Sequence, residues 1–143
     1  MLRGIPPVIS PELMRVLMSM GHGDEIVIAD GNFPAATNAK RLVRADGHGV
    51  PEILKAVARF FPLDTFAEDN AVLMATAPGV PAPPIWAEFE NILADSEGKP
   101  TKLTPIERFA FYERARNAFA VVATSETAIY ANIILKKGVV LLG

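Results

Sequence analysis

A histidine between two glycines, followed eight residues later by an aspartate, is the first group in this chain with the residue types for proton transfer. His22 stands at a predicted helix-to-strand turn, and its imidazole can give and take a proton near neutral pH. Asp30 ends the predicted strand, and strand ends in α/β sheets are common ligand-binding positions. Both have structural alternatives, because His22 could cap the preceding helix and Asp30 could form a turn. Asp24 is close enough in sequence to orient His22.

A second polar group lies near the end of the chain. Tyr130 and Asn132 precede an apolar strand, and residues two apart in an extended segment point to the same side. A phenol and an amide facing one pocket suit a ligand rich in hydroxyls, which needs both donors and acceptors. The alternative is a turn-forming asparagine beside a half-buried tyrosine. Arg108 adds a fork of donors beside aromatic residues, although Arg108 and Arg114 could instead pair with glutamates of their own helix.

The composition narrows the classes of site. The 143 residues fit one domain, 1–143, and the absence of cysteine excludes disulfides and thiolate sites. His22 and His48 are the only histidines, which is too few for a convincing histidine metal site, and no phosphate-binding glycine loop occurs. We therefore expect neither metal nor cofactor. A net charge of −2, no signal-peptide pattern and no long apolar run predict a cytoplasmic protein with no nucleic-acid or membrane partner.

The apolar content is high for a chain of this size. Half of the residues are apolar, and the mean hydropathy is +0.26. A small domain has much surface relative to its volume, so the surplus indicates either contacts between copies of the chain or a well-filled core. Composition leaves both open.

The elements that must position these residues alternate between helices and strands. Apolar spacing predicts helices over 11–20, 51–61, 85–96 and 106–117, with Gly21 ending the first in a left-handed cap. Runs of β-branched and apolar residues predict strands over 25–30, 42–45, 71–77, 119–124 and 132–142. A stiff proline-rich loop covers 78–84. This alternation predicts an α/β fold with a sheet covered on both faces.

The combination of these motifs resembles the RbsD/FucU family of fucose mutarotases and ribose pyranases. The resemblance spans nearly the whole chain, apart from a diverged section between about Glu68 and Thr104. The matching blocks are Ile9-Ser10-Pro11-Glu12-Leu13, Met20-Gly21-His22-Gly23-Asp24-Glu25-Ile26, Phe33-Pro34-Ala35, Arg44-Ala45-Asp46-Gly47, Arg108-Phe109-Ala110-Phe111-Tyr112-Glu113-Arg114-Ala115 and Tyr130-Ala131-Asn132-Ile133-Ile134-Leu135-Lys136-Lys137-Gly138. The last two blocks are similar to the fucose branch.

The resemblance implies a cofactor-free sugar mutarotase in one three-layer α/β domain, with a mixed sheet covered by helices on both faces. Such proteins interconvert the α and β anomers of a free reducing sugar, here L-fucose or a related monosaccharide, by general acid/base ring opening and closure. The resemblance also implies a ring-shaped homo-oligomer, often a decamer, with sites near subunit interfaces. Its implied proton donor and acceptor is His22, and its implied sugar-binding residues are Asp30, Arg108, Tyr130, Ala131 and Asn132.

Three other functions remain open at this point. A ribose pyranase would interconvert pyranose and furanose forms of a ribose-like sugar. A sugar-binding protein without catalysis would use the same residues, and a structural oligomer would keep only a vestigial pocket.

Overall fold

A six-stranded mixed sheet runs through the middle of the molecule. The computed structural model describes residues 1–143, and its strands are β1 (Glu25–Ala29), β2 (Leu42–Ala45), β3 (Ala71–Met74), β4 (Thr104–Ile106), β5 (Ala120–Thr124) and β6 (Ile133–Lys136). Their order is β2-β5-β1-β6-β3-β4. β6 is antiparallel to β1 and β3, and every other neighbouring pair is parallel. All strands except β6 therefore share one direction.

Five helices cover the two faces of this sheet. They are α1 (Pro11–Ser19), α2 (Ala35–Asn38), α3 (Val50–Ala58), α4 (Ile85–Glu97) and α5 (Arg108–Asn117). Buried residues of α1, α3 and α4 form one cluster of 25 residues with one face of the sheet. Residues of α2 and α5 form a second cluster of 12 residues with the opposite face. The predicted three-layer α/β architecture is confirmed.

The central strand β1 shows why both faces need helices. Ile26 and Ile28 point into the larger cluster, while Val27 and Ala29 point into the smaller one. All four are 0% exposed. Since successive side chains of a strand point to opposite faces, a continuous apolar run requires an apolar layer on each side.

The structure corrects the predicted start of the last helix. Residues 104–106 form the edge strand β4, paired with β3, whereas the sequence pattern predicts helix from Ile106. Pro105 is compatible with an edge strand, where its missing N–H need not break a ladder. The helix begins at Arg108 because the Glu107 side chain accepts the N–H groups of Phe109 and Ala110, at 2.9 and 3.0 Å.

The last strand is shorter than predicted, since β6 ends at Lys136 rather than Leu142. The chain then passes so close to a neighbouring segment that a Cβ on Gly138 would lie 2.6 Å from the carbonyl oxygen of Leu63. The Gly138 N–H donates to the Pro62 carbonyl at 2.7 Å. This contact directs residues 139–143 away from the sheet.

The short helix α2 is a further element that the sequence pattern does not predict.

Candidate active site

The predicted catalytic and binding residues lie at opposite edges of the sheet. Asp30 directly follows β1, and Asn132 directly precedes the antiparallel strand β6, so both lie at the edge where the parallel strands end. We call this the carboxyl edge. His22 precedes β1 and lies at the other edge, the amino edge. The four residue steps of β1 span about 13 Å, so no single small ligand contacts both positions within one chain.

At the carboxyl edge, Asp30 organises a buried polar unit. Asp30 is only 4% exposed. Oδ1 accepts the N–H groups of Asn32 and Phe33, both at 3.0 Å, and Oδ2 accepts the Ala131 N–H at 3.2 Å and the Asn132 Nδ2 at 3.1 Å. The Asp30 N–H donates in return to the Asn132 Oδ1 at 2.8 Å. These bonds fill the usual acceptor capacity of a carboxylate. Asp30, Ala131 and Asn132 therefore form one rigid unit.

A cavity of about 320 Å³ opens beside this unit. It contains four of the predicted sugar-binding residues, while His22 is not part of its wall. The predicted Ala131 contributes its backbone N–H to Asp30 rather than a side chain. Two further polar side chains of the wall, Asn32 and Tyr112, were not among the predicted site residues. The lining residues are Asp30, Asn32, Phe33, Pro34, Met74, Arg108, Tyr112, Ile129, Tyr130 and Asn132.

Tyr130 reaches the cavity by an unexpected backbone geometry. Its φ of 55° makes it the one non-glycine residue with positive φ, whereas the sequence analysis assumed an extended segment. This region is unfavourable for a side chain with a Cβ. The Trp86 Nε1 donates to the Tyr130 carbonyl at 2.9 Å, and the Ala77 N–H donates to the Tyr130 Oη at 3.2 Å. The diverged section therefore holds Tyr130 in place.

Arg108 and Tyr112 form the wall contributed by α5. The Arg108 Nε donates to the Tyr112 Oη at 3.2 Å, and the Tyr112 ring packs against Phe33 with centroids 5.6 Å apart. Arg108 is exposed and forms no ion pair with a glutamate of its helix. The signal for Tyr112 was its spacing, because residues four apart lie on the same helix face.

At the amino edge, a glycine turn presents His22. α1 ends before Gly21, which is not left-handed, and the positive φ is instead at Gly23, at 85°. The expected left-handed cap at Gly21 is therefore wrong. Asp24 does not orient the imidazole, because its Oδ2 accepts the Gly21 N–H at 2.8 Å. The His22 side chain is 48% exposed, so it is open to a ligand or to another chain.

The residue that orients His22 is Asp64. Its Oδ1 lies 3.0 Å from the His22 Nε2 and accepts the Phe66 N–H at 3.1 Å. The Phe66 N–H and the His22 imidazole hold the pKa of the Asp64 carboxyl below its ordinary value. An ionised carboxylate only accepts hydrogen bonds, so Nε2 carries a proton, and Nδ1 makes no hydrogen bond within the chain. Sequence reasoning missed Asp64 because it lies 42 residues away and no local pattern connects the two.

The family model for the RbsD/FucU transport protein family matches residues 3–140. The chain belongs to this family. It is 50% identical to the fucose mutarotase of Homo sapiens, an alignment that covers 99% of this chain and 96% of the relative. The crystal structure of the fucose mutarotase from Streptococcus pneumoniae in complex with L-fucose superposes with a TM-score of 0.93. That structure is 44% identical and covers 98% of this chain and 100% of its own.

A further RbsD/FucU structure, of lower sequence identity, bears on the fold and not on the function. Bacillus subtilis RbsD complexed with D-ribose has a TM-score of 0.74, covering 93% of this chain and 95% of its own, at 22% identity. At that identity the likeness shows the shared fold alone. The fucose mutarotases are therefore the relatives that bear on the chemistry of this RbsD/FucU chain.

The rest of the RbsD/FucU chain offers other hollows but no cluster of metal ligands. No group of three or more His, Cys, Asp or Glu side chains is placed to hold a metal ion. Two larger hollows, of about 700 and 950 Å³, lie along the N-terminal segment and the helices beside it. None of the predicted site residues lines either of them. No helix is long and apolar enough to cross a membrane.

Proposed function

We propose that this chain is a fucose mutarotase, an isomerase that interconverts the α and β anomers of L-fucose without a cofactor. The observation that carries the proposal is the His22–Asp64 pair, which holds an exposed imidazole with one nitrogen free. A protein that only binds sugar does not need an oriented proton-transfer group. The full-length similarity to fucose mutarotases from several animals and bacteria supports the same reaction.

The reaction needs one proton delivered to the ring oxygen and one removed from the anomeric hydroxyl. The C1–O5 bond then breaks, C1 becomes an aldehyde, the carbonyl rotates, and the ring closes on its other face. His22 Nδ1 accepts the proton of the anomeric hydroxyl and gives it to the ring oxygen, so the imidazole returns to its starting state, while Nε2 stays bonded to Asp64. A positioned acid/base group contributes about 10²–10⁴-fold to such a step.

The residues at the carboxyl edge hold the sugar. Arg108 and Tyr130 offer donors to hydroxyls, and Asn132 has one amide N–H beyond the one that it gives to Asp30. The Asp30 carboxylate can accept a sugar hydroxyl only by sharing or replacing one of its internal bonds. Its larger contribution is to keep Asn132 and the Ala131 backbone in place.

Because the two edges are separated within one chain, we propose that each complete site forms between two copies. His22 of one copy would face the carboxyl-edge cavity of a neighbour. Two different surfaces in contact generate a closed ring when the rotation closes, which agrees with the predicted homodecamer. Large apolar side chains are exposed at both edges and at both termini: Leu2, Met18, Phe66, Phe109, Ile129, Val139, Val140, Leu141 and Leu142.

The reaction is tested by exchange NMR on the anomeric protons of L-fucose and D-ribose, with and without protein. Faster α/β exchange of L-fucose supports the proposal. Faster pyranose/furanose exchange of ribose alone would assign the chain to the pyranases instead. Binding signals without faster exchange would leave a sugar-binding protein. The matched control is His48→Ala, since His48 pairs with Glu52 on the surface, at 3.0 Å, and should leave exchange unchanged.

The shared site is tested by mixing two inactive variants. His22→Ala and Asn132→Ala each damage a different half of the site. If copies share sites, refolding the two together restores about a quarter of the sites, because each intact site draws one half from each variant at random. No recovery would mean that one chain forms the whole site. Native mass spectrometry then gives the number of copies.

The cellular setting and the absent partners stay predictions from the sequence. We propose a cytoplasmic protein whose partners are a monosaccharide and other copies of itself, with no role for nucleic acid or membrane. Fractionation of cells that express the chain tests the location.

A further inference from the structure

The segment that carries Asp64 is a closed loop, residues 64–70, whose two ends are held by one residue. The Asp64 N–H donates to the Lys136 carbonyl at 3.0 Å, and the Lys136 N–H donates to the Asn70 carbonyl at 2.9 Å. The Asn70 Nδ2 also donates to the Asp64 carbonyl at 2.7 Å. These contacts close the base of the loop. Asp69, the neighbour of Asn70, makes contacts of its own, and its Oδ1 lies 3.8 Å from the Lys136 Nζ.

The main side-chain partner of Asp69 is Arg114 of α5. Its Nη1 donates to the Asp69 Oδ2 at 2.7 Å, and its Nη2 donates to the Asp69 carbonyl at 2.9 Å. Its Nε donates to both carboxylate oxygens of Glu25, at 3.1 and 2.9 Å, and Nη2 also contacts Glu25. One guanidinium thus joins the loop to the first residue of β1, which lies three residues after His22 in sequence.

Burial distinguishes the Arg114–Glu25 pair from a surface ion pair, whereas the Asp69 side chain is 49% exposed. The Arg114 and Glu25 side chains are 18% and 16% exposed. Burial alone disfavours the charge, but the bonds to Glu25 and Asp69 raise the pKa of Arg114 above its ordinary value. The sequence left open that Arg114 pairs with a glutamate of its own helix. The structure shows such a pair for Arg116, which contacts Glu113, and not for Arg114. A planar fork that binds two partners at once is a use that lysine does not reproduce.

We propose that Arg114 is a positioning residue for the proton transfer. It fixes loop 64–70 against β1, so that Asp64 stays hydrogen-bonded to the His22 Nε2 and Nδ1 stays available to the sugar. This inference rests on the proposed function for its catalytic meaning, but the contact that it predicts can be measured without any sugar.

Helix α5 carries Arg114 together with two residues of the opposite edge of the sheet. Arg108 and Tyr112 stand on the same helix and line the carboxyl-edge cavity. Arg114 lies about 9 Å beyond Arg108 along the helix axis and contacts residues at the amino edge. One rigid helix therefore sets residues of both edges. A displacement of α5 is expected to disturb sugar contacts and imidazole orientation together.

The test compares Arg114→Met with Arg114→Lys and with the control Arg116→Met, in the full assembly. Long-range ¹H–¹⁵N spectra report which imidazole nitrogen of His22 is protonated, and His48→Ala assigns the second histidine. We expect a single Nε2–H form in the parent and in Arg116→Met, and a mixture of tautomers in Arg114→Met. The kcat for L-fucose exchange should fall about tenfold in Arg114→Met with KM nearly unchanged, and Arg114→Lys should recover part of it.

Asp69→Asn covers the case in which Arg114→Met does not fold, because it keeps the Arg114–Glu25 pair and removes only the charge on the loop. It should give the same tautomer mixture as Arg114→Met. If either variant folds with a lower melting temperature, an unchanged His22 spectrum and an unchanged kcat, Arg114 is a structural residue only and the inference is overturned. If the parent protein does not accelerate exchange, the proposed function fails while the spectrum still decides the role of Arg114.

Discussion

The two edges of the sheet hold their functional residues in different ways. At the carboxyl edge, Asp30 and Asn132 are 4% and 3% exposed, and the Asp30 carboxylate accepts four internal hydrogen bonds. At the amino edge, the His22 side chain is 48% exposed, has one side-chain hydrogen-bond partner, Asp64, and packs against the Phe66 ring. The first group is complete within one chain, whereas the second is fixed on one side and open on the other.

In the proposed function, this difference corresponds to a division between binding and catalysis. A buried network keeps its geometry because an unpaired polar group away from water is costly, and such geometry suits recognition of hydroxyls. An acid/base group must instead remain accessible to exchange protons with its substrate. The chain therefore presents a rigid binding surface and an oriented, reachable imidazole at separate positions. The following variants test that division, and the largest effect is expected first.

His22→Ala should remove most of the catalysed exchange, a fall of about 10²–10⁴-fold, because no other group at the amino edge replaces the imidazole. Sugar binding should remain detectable, since the cavity wall does not include His22. Exchange NMR measures the rate, and saturation-difference NMR measures the binding. Loss of binding with residual turnover intact would show that His22 only positions the sugar.

Asp30→Asn should damage the carboxyl edge through the fold itself. The amide turns one acceptor oxygen into a donor that faces the Ala131 N–H and the Asn132 Nδ2, so buried groups lose their partners. We expect unfolding to become easier by about 3 kcal/mol and sugar affinity to fall with it. Urea unfolding measures the first effect. The control is the exposed Asp46→Asn, and equal stability of the two variants would contradict the network described above.

Asp64→Asn should lower kcat about tenfold and leave sugar affinity unchanged, because it loosens the imidazole without touching the cavity. It should also change the acid stability. The folded pKa of Asp64 lies below its ordinary value, so its contribution to stability is present above that ordinary value and is lost as pH falls through the lowered folded pKa. The variant should therefore lose less melting temperature between about pH 5 and pH 2 than the parent does. If the melting temperatures of the parent and the variant fall equally over this pH range, a native Asp64–His22 bond in solution is excluded.

Tyr130→Phe should have the smallest effect, a loss of about 1 kcal/mol in sugar affinity through one hydrogen bond. Trp86→Phe is its companion, because it removes the donor to the Tyr130 carbonyl and leaves the phenol in place. Calorimetric titration with L-fucose compares the two. An unchanged affinity in Tyr130→Phe would remove the phenol from the site, and a larger effect in Trp86→Phe would mean that the backbone geometry matters more than the hydroxyl.

The local predictions succeeded where neighbouring residues supply the information. Ser10 and Pro11 predict the start of α1, and the Ser10 Oγ accepts the Leu13 N–H at 3.1 Å. The apolar runs at β1 and β3 predict strands, and both strands are fully buried or nearly so. The errors lie at ends. α5 starts later than predicted because Glu107 caps it. The last strand ends earlier than its apolar residues indicate because Gly138 lies against Leu63.

The sequence by itself determined most of the elements, though not α2 and β4, together with the two-sided sheet and the chemical types at the site. It could do so because periodicity, capping residues and turn residues act over a few positions. Only the tertiary structure decided which groups meet. The antiparallel insertion of β6 beside β1 brings Asn132 to Asp30, 102 residues away. Loop 64–70 brings Asp64 to His22, and Trp86 stabilises a left-handed Tyr130. These pairings depend on strand order and loop closure, and no local pattern in the chain encodes either.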